Sequence, residues 1–236
     1  MASKTAGSVN PTGSKGPDST SSLKQRLKGS WLSKNWQMAL VLVLIIALAF
    51  FVRVYFAYPV SVDNGFLVSG GSDSYYHERV IEYVVENGQH LVFDPMLNYP
   101  DGVRNMRPPL YDWSVAVSGM TLDGLGFSTE DGVGYSLVLS TALWGALTII
   151  PVFLLANAAF GRKAGLLAAF LFSLMPGHIE RSVLSNADHD SMVLFFVVFA
   201  MFFFMRSLQA IQGTKWIANW MKFSSIKAGT LSYFKT

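Results

Sequence analysis

The chain has 236 residues, of which 51% are hydrophobic and only 14% are charged, and its mean hydropathy is +0.36. This balance excludes an ordinary soluble domain and indicates a membrane protein. The absence of cysteine excludes a disulfide framework and thiolate chemistry. The net charge is only +3, and the basic residues concentrate in a few segments, which indicates membrane topology rather than nucleic-acid binding.

The N-terminal arm, residues 1–33, is rich in Ser, Gly and Lys, and its composition predicts disorder. A first membrane span is predicted at about residues 38–58. Basic residues just before it predict a cytoplasmic N-terminus and a retained signal-anchor helix: Lys24, Arg26, Lys28 and Lys34. Arg53 lies near the far end of this span, where its side chain can reach the interface or pair within the bundle.

Residues 59–132 form a long polar segment that should be an external loop. A helix is predicted near its start, because apolar residues recur at helical spacing and Asn87-Gly88 is a stop signal. Ser72 or Asp73 is the expected N-cap of this helix, so the simplest role for Asp73 is capping. The later part of the loop is a series of turns between Asp94 and Pro109, which we expect to be packed by its aromatic residues Tyr99, Tyr111 and Trp113.

Three further spans are predicted at about residues 135–158, 164–176 and 192–208. The short basic turn at Gly161-Arg162-Lys163 and the lysines of the tail, residues 211–236, should be cytoplasmic, and residues 177–190 then form a second external loop. The fold class is therefore an all-α polytopic membrane protein with about four transmembrane helices and a long first external loop.

The second external loop ends in Asn186-Ala187-Asp188-His189-Asp190, next to a predicted span, and polar groups so close to hydrocarbon tend to be functional. In an extended segment, Asp188 and Asp190 would point the same way and could converge on one cation, with His189 pointing elsewhere or closing over it. Oxygen ligands suit Mg²⁺ or Mn²⁺, and Mn²⁺ tolerates histidine better. The alternative is helix capping, with Asn186 or Asp188 as N-cap and Asp190 in the first turn.

The motifs together resemble the catalytic subunit of archaeal oligosaccharyltransferase, a membrane glycosyltransferase of the GT-C type. The resemblance covers the N-terminal transmembrane part of that family, here residues 34–210. The residues that carry it are Gly71 to Arg79, Asp94-Pro95 with Asn98 to Gly102, and Arg181 followed by Asp188-His189-Asp190. The family transfers an oligosaccharide from a dolichol phosphate carrier to the asparagine of Asn-x-Ser/Thr sequences in an acceptor polypeptide.

The resemblance implies a role for each matching residue. Asp73, in the first acidic motif, and Asp188 and Asp190, in the second, are expected to be catalytic and to bind Mn²⁺ or Mg²⁺, with His189 adjacent. Arg181 matches a basic residue near the lipid-linked donor, and Arg107 lies where relatives place a basic group against the donor phosphate. The simpler interpretation of Arg181 is an interfacial residue.

The chain also departs from the family. The Trp-Trp-Asp-Tyr-Gly motif that reads the acceptor hydroxyl is absent, and residues 211–236 show no family pattern. We therefore expect the chain to be a shortened form that is inactive alone. Two other functions remain open at this stage: a small transporter or ion-handling membrane protein, and a non-catalytic donor-binding or assembly partner.

Overall fold

The structure is a computed structural model that describes residues 31–212, with side chains described for residues 36–210. Except where the flanking helices extend into them, the predicted disordered arm and the predicted tail lie outside the described residues. The contacts discussed below all lie within residues 41–210, in the larger of the two units into which the chain divides at residue 40.

The described part is almost entirely helical, with one small two-stranded antiparallel sheet. In chain order its elements are α1 (Trp31–Val54), α2 (Tyr58–Ser61), a 3₁₀ turn (Val62–Asn64), α3 (Ser72–Asn87), β1 (Phe93–Asp94), β2 (Val103–Arg104), α4 (Leu110–Asp123), α5 (Thr129–Leu147), α6 (Ile149–Phe160), α7 (Arg162–Ser173), α8 (Pro176–Ser182) and α9 (Asp190–Gln212).

Three helical stretches within the described residues are long and apolar enough to cross a membrane. They cover Trp36–Val54 in α1, Thr129–Phe160 through α5 and α6, and Asp190–Ala210 in α9. They correspond to the first, second and fourth predicted spans and confirm the all-α polytopic class. The predicted third span is α7, which has 12 residues. Since a lone helix needs about 20 residues to cross, α7 is too short to do so by itself, and a total of four crossings stays a prediction.

The predicted helix after the first span is confirmed as α3, and Asn87-Gly88 ends it, with Gly88 in the left-handed conformation. Its apolar stripe of Tyr76, Val80, Ile81 and Val84 packs into a buried cluster with residues of α4 and α5. The residue before the helix, Gly71, is its N-cap and no side chain caps it, so the prediction that Ser72 or Asp73 would do so is wrong.

The helix α4, which the sequence interpretation missed, begins directly after the region predicted as turns. Tyr111 is fully buried and Trp113 packs against the same cluster, as expected, but Tyr99 is 80% exposed rather than packed in the loop. The Pro108-Pro109 pair ended the predicted turn series, and the helical spacing that begins directly after it, at Tyr111, Asp112 and Val115, was therefore overlooked.

Arg53 is fully buried within the bundle rather than reaching the interface. Its guanidinium donates to the Ser182 hydroxyl at 2.7 Å, to the Ala49 carbonyl at 2.7 Å and to the Ser173 carbonyl at 3.2 Å. Ser173 ends α7, so the cation faces the negative end of a helix dipole. The backbone carbonyl of Arg53 also accepts from the amide of Leu184 at 3.0 Å. Arg53 thereby fixes the chain that leads into the second predicted loop.

Candidate functional site

Two segments that are far apart in sequence are joined beside the start of α3. The amide of Ser69 donates to the carbonyl of Ser185 at 2.8 Å, and their hydroxyls lie 2.8 Å apart. The Ser74 hydroxyl donates to the Asn186 carbonyl. A Cβ on Gly70 would lie 2.0 Å from that same carbonyl oxygen, so the close approach requires glycine. The start of α3 is thus held against the segment that carries Asp188 to Asp190.

Asp188 and His189 meet His77 of α3 at this junction. The Asp188 Oδ1 lies 2.8 Å from His189 Nδ1 and 3.5 Å from His77 Nε2, and the two histidine nitrogens are 3.2 Å apart. These atoms form the one group in the described part of the chain that has metal-ligand composition and spacing. His77 lies four residues after Asp73 in α3, where it could share its helix face, and the sequence did not predict it as a site residue.

The local backbone explains why Asp188 groups with His189 rather than with Asp190. Ala187, with a φ of +42°, turns the chain directly before Asp188, and α9 begins two residues later, so residues 188–190 do not form the extended segment that the expected alternation requires. Asp188 accepts a hydrogen bond from the amide of His189, and Asp190 is already the first residue of α9. The expected placement of Asp190 in the first helical turn is confirmed, and the expected convergence of Asp188 with Asp190 in an extended segment is wrong.

His77 is held from behind by a carboxylate in α4. Its Nδ1 lies 2.6 Å from Asp112 Oδ1, both side chains are buried, and the Tyr111 ring contacts the imidazole edge to face. Burial by itself lowers the pKa of His77, but the hydrogen bonds with Asp112 and Asp188 outweigh it and raise that pKa to about 9. The hydrogen bond with His77 lowers the pKa of Asp188 against the opposing effect of burial. The sequence interpretation did not predict a role for Asp112. The signal that could have indicated one is a carboxylate among the buried positions of an apolar helix face.

Asp73 and Asp190, the other two predicted metal ligands, each pair with an arginine. Asp73 forms an ion pair with Arg107, whose guanidinium also stacks 4.4 Å from the centre of the Tyr76 ring. Asp190 lies 3.7 Å from Arg181. Neither carboxylate belongs to the group formed by His77, Asp188 and His189. The predicted phosphate-binding arginines therefore lie beside the predicted metal-binding acids.

Asp94 in β1 has a structural role at the edge of this region. It is buried and accepts two hydrogen bonds from the guanidinium of Arg79 in α3, at 3.0 and 3.1 Å, and one from the amide of Met96. The bonds from Arg79 lower the pKa of Asp94 against the effect of burial. The pair anchors the small sheet to the helix that carries Asp73 and His77.

The fold and the site together define a polytopic α-helical membrane protein with a cluster of carboxylates, imidazoles and guanidinium groups where two inter-helix segments meet. Residues 31–236 match the family model described as "Oligosaccharyl transferase STT3, N-terminal", and the chain belongs to that family. The match confirms the resemblance that the sequence motifs indicated, and it extends through residues 211–236, for which no family pattern was expected.

The relatives are archaeal and eukaryotic glycotransferases. The chain is 33% identical over 180 residues to the dolichyl-monophosphooligosaccharide–protein glycotransferase AglB of Haloferax volcanii, an alignment that covers 75% of this chain and 17% of that protein. The apo oligosaccharyltransferase of Archaeoglobus fulgidus superposes with a TM-score of 0.69 at 26% identity, over 86% of this chain and 23% of that one.

A second similar structure was solved with bound ligands. It is the AglB of Archaeoglobus fulgidus in complex with an inhibitory peptide and a dolichol-phosphate, with a TM-score of 0.64 and 27% identity over 79% of this chain and 21% of that one. The chain thus spans about a fifth of the length of the relatives it matches.

Proposed function

We propose that this chain forms the donor-facing part of an oligosaccharyltransferase catalytic subunit, which transfers an oligosaccharide from a dolichol-linked donor to Asn-x-Ser/Thr sequences of an acceptor polypeptide. The observation that carries the proposal is the junction of Ser69 with Ser185, because it brings the two acidic motifs to one end of the helices. The dolichol-phosphate bound to the Archaeoglobus relative supports the donor class.

The residues at the junction fit a divalent cation. Asp188 would hold Mn²⁺ or Mg²⁺ through a carboxylate oxygen, with His189 contributing a nitrogen. Asp73 and Asp190, which pair with Arg107 and Arg181, would join the ion once those arginines bind the donor phosphate instead. The Asp188 oxygen lies 2.8 Å from His189 Nδ1, so two donor atoms are adjacent without rearrangement. When bound, the cation supplies Lewis-acid stabilisation of charge on the leaving phosphate.

Arg107 and Arg181 would bind the donor phosphate. Each is paired with a carboxylate of the proposed site, Asp73 and Asp190 respectively. A guanidinium matches phosphate oxygens at least as well as it matches a carboxylate. Exchange of each arginine from its carboxylate to the phosphate would neutralise the donor and free the carboxylate for other ligands.

The carboxylates also suit the acceptor chemistry. An asparagine amide nitrogen is a poor nucleophile because its lone pair is delocalised into the carbonyl. A carboxylate that accepts hydrogen bonds from the amide N–H groups can hold the nitrogen and reduce that delocalisation. Asp73 is 57% exposed on its side chain and is therefore accessible to an acceptor.

The protein would lie in the cell membrane as a multi-pass protein, with a cytoplasmic N-terminus and both acidic segments external. The transporter alternative requires ionisable groups within the spans that form a path. The only charged residue in the Trp36–Val54 span is Arg53, and its guanidinium bonds to a hydroxyl and to backbone carbonyls. The proposed metal ligands lie at or before helix starts rather than inside a span. This distribution favours the enzyme.

The 236-residue polypeptide by itself would bind the donor without transferring the glycan, as a donor-binding partner would. It contains no Trp-Trp-Asp-Tyr-Gly motif to position the acceptor, and positioning can supply about 7–11 kcal/mol of a reaction barrier. The test is incubation with Mn²⁺, an Asn-x-Thr peptide and archaeal lipid-linked oligosaccharide. Glycopeptide above a no-enzyme control would contradict this expectation.

The metal site is tested by titrating purified protein with Mn²⁺ and following free Mn²⁺ by electron paramagnetic resonance. Asp73→Asn and Asp188→Asn should each weaken binding. Glu86→Gln, an exposed carboxylate on α3 away from the junction, is the matched control and should bind as the wild type does. Unchanged affinity in both aspartate variants would contradict the metal site.

A further inference from the structure

We propose that His77 is an additional ligand of the divalent cation, so that the ion is held by two imidazole nitrogens as well as by carboxylates. The inference deepens the proposed function and rests on it. His77 is not among the metal ligands that the sequence motifs or the family resemblance predict.

The separations of the donor atoms match those of ligands on one ion. First-row cations lie about 2.0–2.2 Å from nitrogen and oxygen ligands, so neighbouring ligand atoms are about 3.0–3.5 Å apart. His77 Nε2 lies 3.2 Å from His189 Nδ1 and 3.5 Å from Asp188 Oδ1, and the third side of the triangle is 2.8 Å. Two of the three separations lie within this range and the third is slightly shorter, so a small shift of the His189 ring would place all three atoms around one cation.

The other side of the His77 ring has the partner that metal-bound histidines usually have. Its Nδ1 lies 2.6 Å from the buried carboxylate of Asp112. Ligating histidines almost always give their second N–H to a carboxylate, a carbonyl or water, which fixes the tautomer and the ring orientation. Donation from Nδ1 to Asp112 leaves Nε2 as the atom that faces Asp188 and His189, where a bound cation would displace its proton. Asp112 is thus a positioning residue for His77.

A purely structural ion pair explains less of this arrangement. A histidine that merely bridges Asp112 and Asp188 needs no second imidazole next to its Nε2. The ring of His189 nevertheless faces that of His77, with centroids 5.3 Å apart. The side chain of His77 is also only 1% exposed, so its Nε2 faces Asp188 and His189 rather than solvent.

The donor set further selects among cations. Imidazole nitrogen suits Fe²⁺ and Zn²⁺ and is tolerated by Mn²⁺, whereas Mg²⁺ prefers oxygen ligands and gives up its waters reluctantly. A site with two imidazoles should therefore hold Mn²⁺ against a large excess of Mg²⁺. A site built from carboxylates alone would let Mg²⁺ compete.

The test is electron spin echo envelope modulation of Mn²⁺ bound to the full 236-residue protein, which detects directly coordinated imidazole nitrogen. The wild type should show the combination lines of two imidazoles. His77→Gln should keep one imidazole coupling and bind Mn²⁺ more weakly, and Asp112→Asn should weaken binding by about 10–100-fold, as loss of a second-sphere carboxylate does. His178→Gln removes an imidazole outside the cluster, which contacts the Gly145 carbonyl, and should retain both couplings.

The outcomes separate this inference from the proposed function. A single coupling in the wild type, or two couplings in His77→Gln with unchanged affinity, would overturn the role of His77, and weaker binding in Asp188→Asn would then leave the proposed metal site standing. Unchanged binding in Asp73→Asn and Asp188→Asn as well would overturn both. The wild-type spectrum decides the question even if His77→Gln does not fold.

Discussion

The backbone amide of Ser69 donates a hydrogen bond to the carbonyl of Ser185, 116 residues later in the chain, at 2.8 Å, and their hydroxyls meet at the same distance. This contact, more than any single acidic residue, creates the site. It places the helix that carries Asp73 and His77 against the segment that carries Asp188 and His189.

The close approach at this junction should fail when Gly70 gains a side chain. The Cβ of Gly70→Ala would lie 2.0 Å from the Asn186 carbonyl and 1.9 Å from the Ser74 hydroxyl oxygen. We expect a loss of about 1–3 kcal/mol in stability, as for other overpacked sites, together with weaker Mn²⁺ binding. Thermal unfolding and Mn²⁺ titration measure the two effects. Gly177→Ala, where an added Cβ meets nothing within 4 Å, should change neither.

Arg53 should be required for stability in spite of its buried charge. Arg53→Met leaves the Ser182 hydroxyl and the Ser173 carbonyl without their donor, and each lost partner typically costs about 1–3 kcal/mol. The melting temperature in detergent should fall. The matched control is Arg206→Met on α9, whose guanidinium is exposed and contacts Gln209. An Arg53→Met protein as stable as the wild type would show that this cation is dispensable, as some buried charges are.

The pair of Arg79 with Asp94 should make stability depend on acid pH. Its hydrogen bonds hold the pKa of Asp94 below the ordinary value of 3.8, so the stabilisation is complete above pH 3.8 and is lost as pH falls through the lower folded-state pKa. The difference in melting temperature between the wild type and Asp94→Asn should therefore be constant near neutral pH and shrink in strong acid. A difference that grows in acid would contradict the assignment. Asp101→Asn, an exposed carboxylate, should melt like the wild type throughout.

The membrane topology can be tested with single cysteines, since the chain has no native one. In intact cells, an impermeant thiol reagent should label Asp101→Cys in the first predicted external loop. It should not label Arg162→Cys in the basic turn between α6 and α7, because short basic turns remain on the cytoplasmic side. The reverse labelling pattern would invert the proposed orientation.

Local patterns predicted the parts of the fold that depend on local sequence. The spacing of Tyr76, Val80 and Ile81 located α3, and the apolar runs located three spans. The motifs also identified Asp188 and His189 as polar groups at a helix start. The sequence motifs could not predict the pairing of His77 with Asp112, because the two residues are 35 positions apart and the sequence around each contains no pattern that indicates the other.

The detailed geometry of the acidic segment had a different origin. The positive φ of Ala187 is unusual for a residue other than glycine or asparagine, and alanine gives no signal for it. The conformation is imposed by the bonds of Ser185 and Asn186 to the start of α3. The expected alternation of Asp188 and Asp190 therefore failed for a tertiary reason.

The most direct measurement asks whether cation and donor phosphate share the proposed site. The protein in lipid nanodiscs is loaded with dolichol phosphate, and the phosphorus NMR signal is followed as Mn²⁺ is added. Since paramagnetic relaxation falls steeply with distance, a phosphate held beside the ion should broaden beyond detection in the wild type and in Glu86→Gln, but persist in Asp188→Asn. A bound dolichol phosphate that stays sharp when Mn²⁺ saturates the wild-type protein would contradict a shared metal and donor site.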